Sequence, residues 1–168
     1  MSHRLFTIVS GVVAFLAFSV ASAVASTTIV TPGESGALSG AGRYTYIAPS
    51  SPRPGGRYGF LYLGDGRASA TYQVYAPTAG TYALWIRFDD DGLHAVGARA
   101  VEVYANGALA LSWSNPSQQT NGWVNIHIGA LNLRAGQNTI VFTKAAATPA
   151  AFVLDEFVLS DAPGYVPN

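Results

Sequence analysis

The chain has 168 residues, with nine Lys and Arg against nine Asp and Glu, three His and no Cys. Charged residues make up 11% and hydrophobic residues 49%, where a typical soluble domain is about 25% charged. This balance excludes a basic footprint for nucleic acid, a disulfide framework, a thiolate metal site, a cysteine nucleophile and an intrinsically disordered chain.

His3 and Arg4 precede the uncharged run Leu5–Ala25, which begins strongly apolar and ends in the small residues Ala21–Ser26. Ala23-Val24-Ala25 supplies an A-x-A cleavage site. The order of charged, apolar and small segments predicts a secretory signal peptide over residues 1–25 and a single module over 26–168 that works outside the cytoplasm, secreted or in the cell envelope. A retained anchor is the competing reading, because the run could just span a bilayer. Its small, semi-polar end and the lack of a following cationic cluster favour cleavage, after which no membrane contact is expected.

Thr27–Thr31 reads as a first strand, broken by Pro32 and by Gly33, Gly36, Gly40 and Gly42. Residues 50–57, SSPRPGGR, read as a loop. From Phe60 the chain divides into short strands separated by turn signals. Ser69–Ala76 places Ala70, Tyr72 and Val74 on one face, and Pro77–Gly80 turns the chain. Thr81–Phe88 alternates Tyr82, Leu84, Ile86 and Phe88 against Ala83, Trp85 and Arg87, so Arg87 is placed to meet a carboxylate at the sheet edge. Ala100–Ala105 returns as Ala108–Trp113 through Asn106-Gly107, the strongest two-residue hairpin signal present. A polar loop, Asn115–Gly122, leads into Trp123–Ile128 and Leu131–Leu133, with His127 facing outward. Arg134–Gln137 turns into Asn138–Lys144, and Ala151–Ser160 closes the series. Residues 145–151, AAATPAA, are the one helical candidate, and Pro149 breaks it. Period-two runs at close spacing predict an all-β fold, an antiparallel β-sandwich.

AGTYALWIRF, VEVYANG, GW, LRAGQNTIVF and VLDEFVLS follow one another in an order and spacing that resembles carbohydrate-binding modules of family 6 or family 35. Those are jelly-roll sandwiches of the galactose-binding-like group, and the likeness covers roughly residues 28–161. It implies a non-catalytic module that binds a glycan or polysaccharide through rim loops. It also implies a structural Ca²⁺, with Glu34 matching the second acid of the family's Glu-Ala-Glu segment and Asp155 matching its C-terminal Asp. Pro32 stands where the first Glu should be. Ca²⁺ wants six to eight oxygens, so two carboxylates and backbone carbonyls would make a weak site. The alternative is that Asp155 caps a turn or pairs with an Arg and Glu34 is solvated.

In the family a Trp and a Tyr flank the sugar, and an Asn precedes the final Asp. Here Trp123 matches the first Trp of a W-x-x-W segment, a position often in the core. Ile126 and Val153 occupy the second Trp and the Asn positions. Other side chains must then line a cleft. The candidates are Tyr58 and Tyr62 beside the Gly-rich loop, Trp113, and Asn115, Gln118, Gln119 and Asn121 in the polar loop. Aromatic faces suit the apolar C–H surface of a sugar, although core packing is the competing role for each ring. Asp89-Asp90-Asp91-Gly92 with His94 could hold a metal or sugar hydroxyls, or be a solvated turn whose carboxylates cap backbone N–H groups.

No hydrolase, zinc-protease, dinucleotide or P-loop motif is present, and Pro116 spoils the glycosylation sequon at Asn115. The alternative function is an extracellular structural subunit (matrix, coat or filament), because low charge lessens repulsion between copies and permits self-association.

Overall fold

A computed structural model describes residues 25–40, 42–46, 59–64, 68–89, 95–116, 122–144 and 150–168, with the backbone alone for 42–46 and 59–62. The signal-peptide segment 1–24, the loop 50–57, Tyr58, Asp90, Asp91, His94, Gln118, Gln119, Asn121 and the helical candidate at 145–149 lie outside these residues.

Eleven strands and one short 3-10 turn form two antiparallel sheets. Sheet I contains β1 (Thr28–Pro32), β3 (Gly42–Tyr46), β4 (Gly59–Leu63), β6 (Gly80–Asp89), β9 (Trp123–Leu133) and β11 (Phe152–Ser160). Its order is β3-β4-β11-β6-β9, and β1 also pairs with β11. β4 takes Phe152–Leu154 of β11 and β1 takes Glu156–Ser160, so the two share one side of that strand. Sheet II contains β2 (Ala37–Ser39), β5 (Ser69–Ala76), β7 (Ala100–Ala105), β8 (Ala108–Ser114) and β10 (Gly136–Lys144), in the order β2-β5-β10-β7-β8.

The alternation in β5 and β6 buries the expected faces: Ala70, Tyr72 and Val74 on one, Tyr82, Leu84, Ile86 and Phe88 on the other. Between the sheets Tyr72 meets Phe142 and Phe157 edge-on, with ring centroids 5.8 and 5.0 Å apart. Such offset aromatic contacts contribute beyond their buried area. The Tyr72 hydroxyl donates to the Gly33 carbonyl at 2.7 Å and so pins the 3-10 turn Gly33–Ser35. A Cβ on Gly33 would collide with the carbonyl oxygens of Leu154 and Asp155. Glycine there is what lets the segment after β1 lie against β11.

Two parts of the architecture differ from the sequence-based expectation. β2 and β3 arise within the segment that read as irregular, because they are short and flanked by Gly. β9 is one strand where two were expected; its register against β6 shifts between Leu84 and Trp85, so Gly129 faces Leu84 and His127 faces Trp85. A bulge carries the ladder through the residue that looked like a break. The Asn106-Gly107 hairpin forms with φ of 51° and 86°, the left-handed conformation a type I′ turn requires. On the outer face of sheet II the Tyr104 hydroxyl donates to Glu102 at 2.9 Å, a hydrogen bond that raises the phenol above the usual tyrosine range.

Candidate functional site

β4, β6, β8 and β10 end at one edge of the sandwich, and β5, β7, β9 and β11 start there, as the register pairs Leu63 with Phe152, Asp89 with Trp123, Ala100 with Ser114 and Thr143 with Ser69. The connections over residues 64–68, 90–99, 115–122 and 145–151 therefore meet at this rim, whereas the one over residues 47–58 joins β3 to β4 from the opposite end.

Its inner side is braced by buried polar groups. Asn115 has no exposed surface. Its Oδ1 accepts from the Arg99 amide at 3.0 Å, its Nδ2 donates to the Ala95 carbonyl at 3.3 Å, and its own amide donates to the Arg99 carbonyl at 3.0 Å. Arg99 is 2% exposed and donates Nη1 to the Ala151 carbonyl at 2.7 Å, linking the segment before β7 to the one before β11. Lys144, at the end of β10, is also buried. A buried cation is tolerated only when it is well hydrogen-bonded, and Arg99 and Asn115 meet that need by tying three segments of the rim together.

The outer side carries a different set. β11 has one residue more than β6 between Leu154 and Glu156, and the extra residue is Asp155. A bulge re-aims a side chain, and here Asp155 accepts from Arg87 Nη1 at 2.6 Å, with side-chain exposures of 3% and 19%. The Arg87 guanidinium carbon also lies 5.9 Å from the centroid of the Trp123 ring. Arg87 is thus held between a carboxylate and an indole, while Asp89 pairs with Trp123 across the strand ends. One turn of the pleat further down, Trp85 meets His127 with centroids 5.2 Å apart, and His127 faces outward as expected.

The sequence-based candidates are placed as follows. Trp113 is half-buried and engaged with the core, edge-on to Phe88 at 5.0 Å and Phe152 at 6.2 Å. Asn115 is spent on bracing the loop rather than presented to solvent. Tyr62 lies on β4 opposite Val153, close to the rim. Gln118 and Asn121 belong to the connection that delivers Trp123, whereas Tyr58 immediately precedes Gly59, the end of β4 away from the rim. Trp123 and Arg87 are not among the sequence-based ligand candidates, whereas Asp89 is, as the first residue of the Asp89–Gly92 run. Trp123 follows the polar loop directly and alternates with the exposed Asn125 and His127, and that outward parity was the available signal.

For Ca²⁺ the fit is poor. Gly33 against Leu154 and Asp155 brings Glu34 to the same region as Asp155. But Asp155 gives an oxygen to a guanidinium, which a divalent ion on that carboxylate would repel. Among the described residues no three His, Asp or Glu converge.

No protein-family model matches the sequence, and no curated protein sequence matches it. Solved structures do match. A family 35 carbohydrate binding module from Clostridium thermocellum superposes with a TM-score of 0.62 at 22% identity, over 79% of this chain and 98% of that one. The chain shares its fold. The CBM36-1 domain of a multidomain xylanase from the hindgut metagenome of Trinervitermes trinervoides gives a TM-score of 0.58 at 15% identity, over 83% of this chain and 100% of that one. The GH26-CBM35 β-(1,4)-mannanase of Podospora anserina gives 0.59 at 21%, covering 84% of this chain. This chain spans only 30% of the mannanase's length, about the size of one module within it. The jelly-roll sandwich expected from the sequence is the observed fold.

Proposed function

We propose that this chain is a secreted, non-catalytic module that binds a glycan or polysaccharide at the rim. The observation that carries the reading is the grouping of Trp123, Arg87 and Asp89 where β6 and β9 meet their loops. An indole offers an apolar face to sugar C–H groups. A guanidinium and a carboxylate beside it offer donors and acceptors to the hydroxyls. Asp155 fixes the guanidinium and thereby lowers the entropy lost on binding. Gln118 and Asn121, in the loop leading to Trp123, and Tyr62, next to the rim end of β4, are the further contacts of this reading; Tyr58, which precedes the opposite end of β4, is not one of them. Trp113 and Asn115 support the rim from within. Likeness to stand-alone modules named for carbohydrate binding agrees with it.

Pull-down against a panel of insoluble polysaccharides, followed by titration with the retained one, tests this. Trp123→Ala is expected to weaken binding at least tenfold, about 1.4 kcal/mol, while the protein stays folded. Equal retention of the variant and the parent on every polysaccharide would remove Trp123 from the site.

A further inference from the structure

The flank on which β8 borders sheet II and β9 borders sheet I is the least finished part of the surface. β8 hydrogen-bonds only to β7, so among the described residues the other side of its ladder meets no strand. Edge strands are usually blunted by Lys, Pro, shortness or a covering loop. β8 runs for seven residues, Ala108–Ser114, with no charge and no Pro. The adjoining turn Asn106-Gly107 and residues 129–133 of β9 are uncharged as well.

The flank also carries a projection and a hollow. The β7–β8 register slips at Ala110, so that Val103 faces Leu111 while Tyr104 faces Leu109. That slip turns Leu109 outward, where it is 54% exposed, whereas Leu111 packs against the core. Beside Leu109 lies a groove of about 280 Å³, lined by Leu109 with Ala105, Ala108, Ala110, Ala130 and Asn132. Four alanines stand where larger side chains would have sealed the gap between the sheets.

We infer that β8 pairs antiparallel with β8 of a second copy of this chain, about a two-fold axis beside Leu109. The pairing joins two five-stranded sheets into one. A two-fold contact presents the same patch on both sides, so each copy supplies a Leu109 for the other's alanine-lined groove. The absence of charge removes repulsion between copies and leaves a charged partner nothing to pair with. The pairing also has a geometric consequence. β8 ends at the rim, so antiparallel copies point their rims in opposite directions. Given glycan binding at the rim, on which this last step rests, the dimer bridges two glycan chains instead of tethering one.

Sedimentation equilibrium of the purified protein from micromolar to hundreds of micromolar tests the contact without any glycan. The apparent mass is expected to rise toward twice the chain mass. Leu109→Lys and Ala110→Glu are each expected to weaken association at least tenfold, with melting curves confirming that they fold. Tyr75→Lys, at a 66% exposed position on β5, is expected to change nothing. A parent protein that stays monomeric throughout, or folded Leu109→Lys and Ala110→Glu variants that associate like the parent, overturns the inference. A dimer that retains no polysaccharide keeps the contact and removes the glycan reading.

Discussion

The two ends of the sandwich are built on opposite plans. At the base, β5–β6, β7–β8 and β9–β10 are joined by turns of two or three residues, and one buried amide serves the last two. Asn138 accepts from Asn106 Nδ2 at 2.8 Å and from the Arg134 amide at 3.1 Å, and donates to the carbonyls of Arg134 and Gly136 at 2.8 and 2.9 Å. At the rim, connections are long, cations are buried, and an ion pair stands beside a half-buried indole. These three turns satisfy their backbone with few residues, although the connection over residues 47–58 also leaves from this end. The rim places charge and aromatic surface where loops can vary around them. That asymmetry supports the proposed reading of the rim as the end at which a ligand is met.

The largest break of this contrast is at Arg87. Arg87→Met strands the Asp155 carboxylate, 3% exposed, without its guanidinium. Removing one partner of a largely buried pair costs about 3 kcal/mol, a fall in Tm of about 10 °C, and polysaccharide retention should be lost with it. Adding Asp155→Asn removes the stranded charge and should recover much of the stability but none of the binding. Thermal melts and pull-downs of the three proteins separate the two effects, and recovery of binding in the double variant would contradict the assignment of Arg87 to the ligand.

At the base the expected effect is smaller and purely structural. Asn138→Ala leaves the Arg134 amide and two carbonyls to find water, at a cost of about 2 kcal/mol. Polysaccharide affinity measured well below the melting point should be unchanged. A variant with weakened binding would couple the base to the rim and erase the distinction.

The base was also the more legible end. Asn106-Gly107 and the Arg134–Gln137 turn announce themselves through local backbone chemistry, β5, β6, β7 and β10 through alternation, and β11 as an apolar run. At the rim, alternation hinted that Arg87 would meet a carboxylate, but not which one. The bulge that turns Asp155 toward Arg87 depends on how β6 and β11 align, which no local pattern encodes. Trp113 and Trp123 are chemically the same residue, each beside the polar loop. The first faces Phe88 and the second faces outward, a difference set by strand parity and sheet pairing. The Gly-rich stretch after β1 hid β2 and β3, because Gly33, close against Leu154 and Asp155, and Gly36, close against the Tyr72 ring, are residues that otherwise signal a loop.

The smallest expected effect concerns Ca²⁺ beneath the rim. Glu34 and Asp155 belong to one neighbourhood through Gly33, which is the placement a structural ion would use. Against this stands the 2.6 Å contact between Asp155 and Arg87. A divalent ion on the same carboxylate would have to displace the guanidinium or bear its repulsion, and would still need four or more further oxygens. With Arg87 supplying the countercharge, EGTA should move Tm by less than about 1 °C, since an ion that does not bind the native state contributes nothing to its stability. A drop of several degrees, reversed by added Ca²⁺ and abolished by Glu34→Gln, would show that the ion wins Asp155. Arg87 would then be released toward the ligand, and polysaccharide binding would have to depend on Ca²⁺.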